Sequence, residues 1–232
     1  MKSDSDEKLW DYYQSVNSTY FDTTSRDKIM MLAKAIKKRT NGNDRICEVG
    51  LGNGLMLLEL ARHRTVIGID LCGGTIEHLK SRPEFAGIEL KQGDICHLGS
   101  VSEDLDAVVT VDVIEHLTPE QLDDACREVY KVLKPGGKWF INVPWNENLK
   151  LNEIFCPHCH KTFHRVGHKQ AFDEARLTTF VTAAGFQVAF IKRIYPANFL
   201  LPRPLMWCYR IIARVYLKNY ASMFAMAVKV RI

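Results

Sequence analysis

Short apolar runs alternate with longer segments of helical periodicity between residues 45 and 143. Each run has the length of a strand and is nearly continuous in apolar residues, as expected for strands buried on both faces of a parallel sheet. The runs are residues 45–50, 65–70, 87–91, 105–111 and 138–143. Such regular alternation of strands and helices predicts a doubly wound α/β sheet with right-handed crossovers.

Helix signals fill the segments between these runs. The clearest begins at Thr118, where Pro119 suits the first helical position and Gln121 completes a capping box. The N-terminal segment 1–40 is predicted to be helical from residue 7 onwards. Two further helices are predicted at residues 55–63 and 75–80.

The regular alternation of predicted strands and helices ends after residue 143. Two long insertions appear, a Cys/His-rich one at 144–170 and an apolar, basic one at 195–219. Between and after them we predict a helix at 173–184, a strand at 186–194 and a final strand at 220–232. Long insertions in a compact domain are usually functional. We expect one domain that spans all 232 residues.

The composition is that of an ordinary globular protein, with 47% apolar and 25% charged residues. No stretch approaches the ~18 consecutive apolar residues of a membrane span. The polar, acidic start is untypical of a secretory signal, so we expect a cytoplasmic protein. Residues 150–232 carry 13 basic and 3 acidic side chains. This excess indicates either an anionic partner or simply a basic face.

A glycine-rich loop follows the first predicted strand, with glycines at positions 50, 52 and 54 after Glu48. Glycines let the backbone turn sharply and approach a ligand, with helix N-terminal amides facing the same space. By itself the loop could equally be a tight turn. The dinucleotide fingerprint G-x-G-x-x-G would need glycine at Leu55, which argues against a dehydrogenase.

Five motifs in the same order resemble those of class I S-adenosylmethionine-dependent methyltransferases. They are the glycine motif at 46–54, the second strand with its terminal acid at 66–70, the Gly-Asp-Ile step at 93–95, the fourth strand and active-site loop at 106–117, and the turn at 133–137. The resemblance is dense over residues 45–143 and looser beyond. It implies a Rossmann-like, mostly parallel seven-stranded sheet with helices on both faces and an antiparallel last strand.

The resemblance also implies S-adenosylmethionine as cofactor. Asp70 would hold its ribose hydroxyls, and Asp94 would accept a hydrogen bond from its adenine amino group. Three alternatives stay open: Asp70 as a helix N-cap, Asp94 as a plain turn residue, and Glu48 as a support of the glycine loop. The implied cofactor-binding residues are Glu48, Gly50, Gly52, Gly54, Asp70, Leu71, Asp94, Ile95 and Val111.

The active-site loop supplies Asp112 and His116 as candidate catalytic residues. Methyl transfer from a sulfonium is an in-line displacement, so orientation provides most of the rate. A base is needed only where the acceptor must lose a proton. His116 is the best base candidate because an imidazole pKa suits neutral pH; the alternative is a capping or core histidine. With Glu115, the D-x-x-E-H spacing also resembles a metal site of some quinone-pathway methyltransferases, although Asp112 stands where those have Glu.

Half of the eight His and two of the seven Cys lie within residues 156–168. The spacing C-x2-C-x4-H-x3-H supplies four ligands of the kind that tetrahedral Zn²⁺ prefers. We therefore predict a structural zinc ion that holds the insertion as one wall of the acceptor pocket. The alternatives are another histidine of the loop in the ligand set, and a metal-free loop whose histidines bind substrate. The predicted zinc ligands are Cys156, Cys159, His164 and His168.

Together these features predict a methyltransferase that acts on a small-molecule or glycan-type acceptor. The alternative is a nucleic-acid-binding or RNA-methylating protein with a zinc knuckle. The basic residues form no dense run, so a nucleic-acid partner is not favoured. In the insertion at 195–219, Arg210, Arg214 and Lys218 are spaced four apart among apolar residues. This pattern is consistent with a substrate lid, a homodimer contact or a membrane-surface helix.

Overall fold

A computed structural model describes residues 23–100, 103–195 and 221–230. The helices in these ranges are α1 (Thr23–Lys37), α2 (Leu55–Ala61), α3 (Gly73–Lys80), α4 (Pro119–Val132) and α5 (Glu174–Ala183). The strands are β1 (Arg45–Val49), β2 (Thr65–Asp70), β3 (Glu89–Gln92), β4 (Leu105–Val111), β5 (Leu133–Pro144), β6 (Glu153–Phe155), β7 (Thr162–His164), β8 (Phe186–Ile194) and β9 (Ser222–Lys229). The predictions for residues 1–22 and 196–219 lie outside the described residues.

Seven strands form one sheet in the order β3-β2-β1-β4-β5-β9-β8. The first five are parallel, and β9 is antiparallel to both of its neighbours. The predicted fold class is therefore confirmed. The chain runs outward from β1 to β3 and then returns to β4, so the strand order reverses between β1 and β4. In doubly wound sheets, ligands bind outside the carboxyl ends of the strands at such a point.

Two hydrophobic layers cover the two faces of the sheet. Successive residues of a strand point to opposite faces, so Trp139 packs with one layer and Phe140 with the other. Helix α1 buries Leu32 and Ile36 completely against the second layer. No helix within the described ranges is both long and apolar enough to cross a bilayer.

Most predicted elements have close to their expected bounds, and β2, β4 and β8 match residue for residue. Helix α4 begins as predicted, since the Gln121 amide donates to Thr118 Oγ1 and the Thr118 amide donates to Gln121 Oε1. The first insertion holds a structure that the pattern did not predict. There, β6 and β7 form a two-stranded antiparallel hairpin, and this hairpin changes the geometry of the predicted metal ligands.

Candidate active site

The glycine loop after β1 has a backbone that glycine alone adopts without strain. Gly50, Gly52 and Gly54 have φ values of 82°, 51° and 76°. A Cβ on Gly50 would lie 2.4 Å from Val113 Cγ2, and one on Gly54 would lie 2.3 Å from Phe85 Cζ. A Cβ on Gly52 would meet no atom of the described residues within 4 Å. The loop is thus packed at both ends and open at its centre, where a ligand can approach the backbone.

Asp70 stands at the end of β2 and joins this loop to α3. Its Oδ2 accepts a hydrogen bond from the Leu51 amide at 2.7 Å, and its Oδ1 accepts one from the Cys72 amide at 2.9 Å. Burial raises the pKa of the Asp70 carboxyl, and these amides act in the opposite direction. Asp70 therefore has a role inside the protein, supporting the loop and the start of α3, besides any contact with a ligand.

The other predicted cofactor residues lie on the same edge of the sheet. Asp94 follows β3, and its Oδ1 accepts a bond from the Cys96 amide at 3.1 Å, which starts a 3-10 turn. Ile95 is buried, while Leu71 and Val111 are half-buried at the ends of β2 and β4. Parallel strands bring all these residues to one edge because their carboxyl ends coincide.

Glu48 is buried in β1 with an unmet hydrogen-bonding capacity. Its side chain is 2% exposed, and Oε2 has no hydrogen-bond partner among the described residues. Burial, and next the nearby Asp70, raise the pKa of Glu48 well above its usual value. A buried acceptor of this kind favours a ligand that brings a donor or a positive charge.

Asp112 follows β4 and is fixed from two sides. Its Oδ1 accepts a hydrogen bond from Asn142 Nδ2 at 2.7 Å, and its Oδ2 lies 2.5 Å from Lys28 Nζ on α1. Its φ of 53° is in the left-handed region, which a residue other than glycine keeps only where its surroundings impose it. Lys28 and Asn142 were not among the site residues predicted from the sequence. The sequence could have indicated Asn142, because it is a single amide in a buried apolar run. No feature of the sequence marks Lys28 as part of the site.

His116 lies in the same loop and faces the first insertion. Its Nδ1 is 3.2 Å from the carbonyl oxygen of Gly167, and because a carbonyl only accepts, Nδ1 carries the proton. Burial, and next His168, lower the pKa of His116 to about 4. A lowered pKa makes His116 a weaker base than expected from the sequence, and its role as a base stays a prediction.

The structure does not bring the four predicted zinc ligands together. His164 pairs with Glu153 at the base of the β6–β7 hairpin, whereas Cys156 and Cys159 lie in the turn at its tip. Three strand positions of ~3.3 Å separate base from tip by about 10 Å. In the described part of the chain, the metal-competent groups that include His168 contain neither cysteine. The predicted ligand set is corrected accordingly, because the segment is extended where a compact turn was expected.

The histidines of the insertion instead meet glutamates. His168 Nδ1 lies 2.5 Å from Glu147 Oε2. The His168 ring centroid is 4.7 Å from those of both His116 and His164. Glu115 is fully buried within reach of these rings, and burial raises its pKa well above the usual value. Glu147 gave no signal in the sequence.

The sheet topology, with a glycine-rich loop at the carboxyl edge of the parallel strands, is that of doubly wound α/β proteins that bind nucleotide cofactors. A methyltransferase-domain family model matches residues 46–137. A protein of Mycolicibacterium smegmatis named as a probable S-adenosylmethionine-dependent methyltransferase is 29% identical over 65% of this chain and 54% of its own length. A fatty-acid O-methyltransferase of the same species is 38% identical over 40% of this chain and 34% of its own.

Solved structures agree on the fold. The N-methyltransferase NodS of Bradyrhizobium japonicum, in complex with S-adenosylhomocysteine, superposes with a TM-score of 0.68 over 97% of this chain and 99% of its own, at 16% identity. Over residues 46–137 the chain is therefore similar to the methyltransferase-domain family, and the relatives it matches include an S-adenosylmethionine-dependent one. It spans about half of the length of the first curated relative.

The residues at this edge fit the cofactor of that family. The open centre at Gly52 leaves the backbone accessible, and the unpartnered Oε2 of Glu48 can take a donor or a cation. S-adenosylmethionine carries both an ammonium and a sulfonium group. The accessible backbone at Gly52 and the buried carboxyl group of Glu48 are thus compatible with a positively charged nucleoside cofactor.

Proposed function

We propose that the protein is a methyltransferase that uses S-adenosylmethionine and methylates a small-molecule or glycan-type acceptor. The observation that carries this proposal is the contact of Gly50 with Val113, which seats the glycine loop directly against the loop that contains Asp112. Cofactor and acceptor residues then share one edge. A relative named as a fatty-acid O-methyltransferase supports a small organic acceptor.

When bound, the cofactor would supply an electrophilic methyl group on its sulfonium sulfur, which would keep the S–CH₃ electron pair and leave as a neutral thioether. The residues of the chain hold and orient the two reactants. The backbone at Gly52, with Asp70 and Asp94, holds the nucleoside, and Glu48 meets a cationic group. Orientation of this kind is worth several kcal/mol of the barrier, up to about 10.

Asp112 contacts the acceptor in this proposal. Its carboxylate is held between Lys28 and Asn142, so it is already oriented when the acceptor arrives. It accepts the hydrogen bond of an acceptor hydroxyl or amine and directs the lone pair toward the methyl group. A proton released by a hydroxyl acceptor passes first to this carboxylate and then to solvent.

The experiment has two arms. Calorimetry with S-adenosylhomocysteine tests cofactor binding, and labelled methyl donor tests transfer to panels of small organic acids, phenols, glycans and tRNA. We expect binding, and transfer to a small molecule or glycan. Absence of S-adenosylhomocysteine binding would refute the cofactor, and labelling of tRNA alone would refute the acceptor class. Asp112→Asn is the matched variant, which should bind normally and transfer poorly.

A further inference from the structure

A fully buried carboxylate, that of Glu115, lies behind Asp112. Glu115 is 0% exposed, and neither Oε1 nor Oε2 has a hydrogen-bond partner among the described residues. Its backbone carbonyl accepts bonds from the amides of Lys169 and Gln170, at 2.8 and 2.9 Å. These bonds fix the loop that carries His168 against Glu115. In its ionised form this carboxylate is costly where it lies unless a cation binds its oxygens.

Two imidazoles accompany this carboxylate. One ligand atom from each of Glu115, His116 and His168 lies within 4.8 Å of the other two. In both rings Nδ1 faces an acceptor behind it: the Gly167 carbonyl at 3.2 Å for His116, and Glu147 Oε2 at 2.5 Å for His168. With the proton on Nδ1, the remaining lone pair of each neutral ring is on Nε2. Metal-bound histidines are held in this way by a carbonyl or carboxylate on the far nitrogen.

We propose that Glu115, His116 and His168 bind one divalent first-row transition-metal ion. Two imidazoles and one carboxylate suit Zn²⁺, Mn²⁺ or Fe²⁺, whereas Mg²⁺ and Ca²⁺ favour all-oxygen sites. Three protein ligands leave coordination positions for water or for an oxygen of a ligand. Beside Asp112, the ion would orient an acceptor oxygen; this last role rests on the proposed function, but metal binding itself does not.

The neighbouring group of Glu147, His164 and His168 is also compact, but Glu147 and the Nδ1 atom of His164 already have hydrogen-bond partners. Glu147 accepts from Asn152 Nδ2 at 2.8 Å as well as from His168. His164 Nδ1 accepts from the amides of Val166 and His168, at 3.4 and 3.1 Å. Glu147 is therefore the residue that positions His168, and Glu115 is the carboxylate left for the ion.

The ligand set differs from both metal interpretations of the sequence. Asp112 is paired with Lys28 and Asn142, so the first acid of the D-x-x-E-H spacing is not a ligand. Cys156 and Cys159 lie at the hairpin tip, so no thiolate takes part. The third ligand, His168, comes from the first insertion, more than fifty residues along the chain from Glu115.

The proposal is tested by titrating chelator-treated full-length protein with Co²⁺ and Zn²⁺. Binding is measured by calorimetry and, for Co²⁺, by visible absorption. We expect about one ion per chain, with Co²⁺ bands typical of nitrogen and oxygen ligands and no thiolate-to-cobalt charge-transfer band. Glu115→Gln and His168→Asn should each weaken binding more than tenfold, and Glu147→Gln by about tenfold. The double variant Cys156→Ser, Cys159→Ser is the matched control in the same insertion and should bind as the wild type.

Three outcomes would overturn the proposal: no binding of either ion by the wild type, unchanged affinity in Glu115→Gln, or a thiolate band that disappears in the double cysteine variant. S-adenosylhomocysteine affinity reports folding of each variant. If Glu115→Gln loses it, His168→Asn gives the decisive comparison. Because the readout needs no acceptor, a wild type that binds the cofactor but neither metal ion contradicts this proposal alone. Loss of cofactor binding in the wild type contradicts only the proposed function.

Discussion

The two halves of the carboxyl edge are built by different means. At the carboxyl ends of β1–β3, the site is formed by main-chain atoms. They belong to a loop with three positive-φ glycines and to amides that hydrogen-bond to Asp70. Beyond β4, the site is side chains from separate segments, with Lys28, Asn142 and His168 converging on the Asp112 loop. A backbone site depends on local conformation and suits a cofactor shared by a family. A side-chain site depends on tertiary contacts and can differ from one member to the next.

The largest effect should come from removing the one side chain that holds the backbone half together. Asp70→Ala leaves the buried amides of Leu51 and Cys72 without acceptors. We expect a loss of about 3 kcal/mol in unfolding free energy, or roughly 10 °C in Tm, together with loss of S-adenosylhomocysteine binding. Asp70→Asn keeps one acceptor oxygen and should lose less of both. Equal stability of Asp70→Ala and wild type in thermal unfolding would contradict this role.

The glycine loop allows stability and binding to be separated. Gly50→Ala combines left-handed strain with a clash against Val113, and we expect a loss of about 2–3 kcal/mol. Gly52→Ala adds only the strain, about 1 kcal/mol, but its methyl group enters the open centre of the loop. Calorimetry should show S-adenosylhomocysteine binding weakened about tenfold by Gly52→Ala. If Gly52→Ala binds as the wild type, the cofactor does not approach that backbone.

Glu48 gives the backbone half a pH dependence. Its pKa is raised in the folded state by burial and then by Asp70, so the folded protein favours the protonated form and loses stability as pH rises above the ordinary glutamate range. Glu48→Gln removes this titration. Its Tm should match or fall below that of the wild type near pH 5, and exceed it near pH 8 by an amount equivalent to about 1 kcal/mol. A Tm difference that is the same at both pH values would contradict the assignment.

The smallest effect is expected at the ion pair between Lys28 on α1 and Asp112 in the loop after β4. The Lys28–Asp112 pair is partly exposed, at 22% and 39%, so Lys28→Met should cost no more than about 1 kcal/mol. Added salt screens such a pair. The stability difference between wild type and variant should therefore shrink between low and high ionic strength. A difference that does not respond to salt would mean that Lys28 acts by packing.

The strands and the cofactor half were predictable because their signals are local. Buried parallel strands read as apolar runs, and Thr118 with Gln121 marks a helix start within four residues. The glycine loop could be placed in the same way, and the family resemblance added expected roles for its neighbours, which stay predictions. The support that Asp70 gives to the Leu51 amide could not be predicted, because it depends on how closely β2 approaches the loop.

The half of the site that is formed by side chains, beyond β4, was harder to predict from the sequence. Lys28 and Asp112 are separated by 84 positions in the chain, and a single sequence contains no signal of such a pair. The predicted set of zinc ligands is separated in the structure for a different reason. Its spacing was correct for a compact turn, but antiparallel pairing of β6 with β7 places Cys156 and His164 at opposite ends of a hairpin. Ligand spacing indicates a metal site only when the local backbone conformation is also known.

The position of β9 has a consequence for synthesis. It follows β8 in the chain yet lies between β5 and β8, and β9 is the one described strand that β8 pairs with in the sheet. While the chain is being made, β1–β5 can associate as they emerge, but one edge of β5 stays unpaired until Ser222–Lys229 leave the ribosome. An unpaired apolar edge is a template for aggregation. Premature termination before residue 222 should therefore yield insoluble protein, although every strand of the cofactor half would already be present.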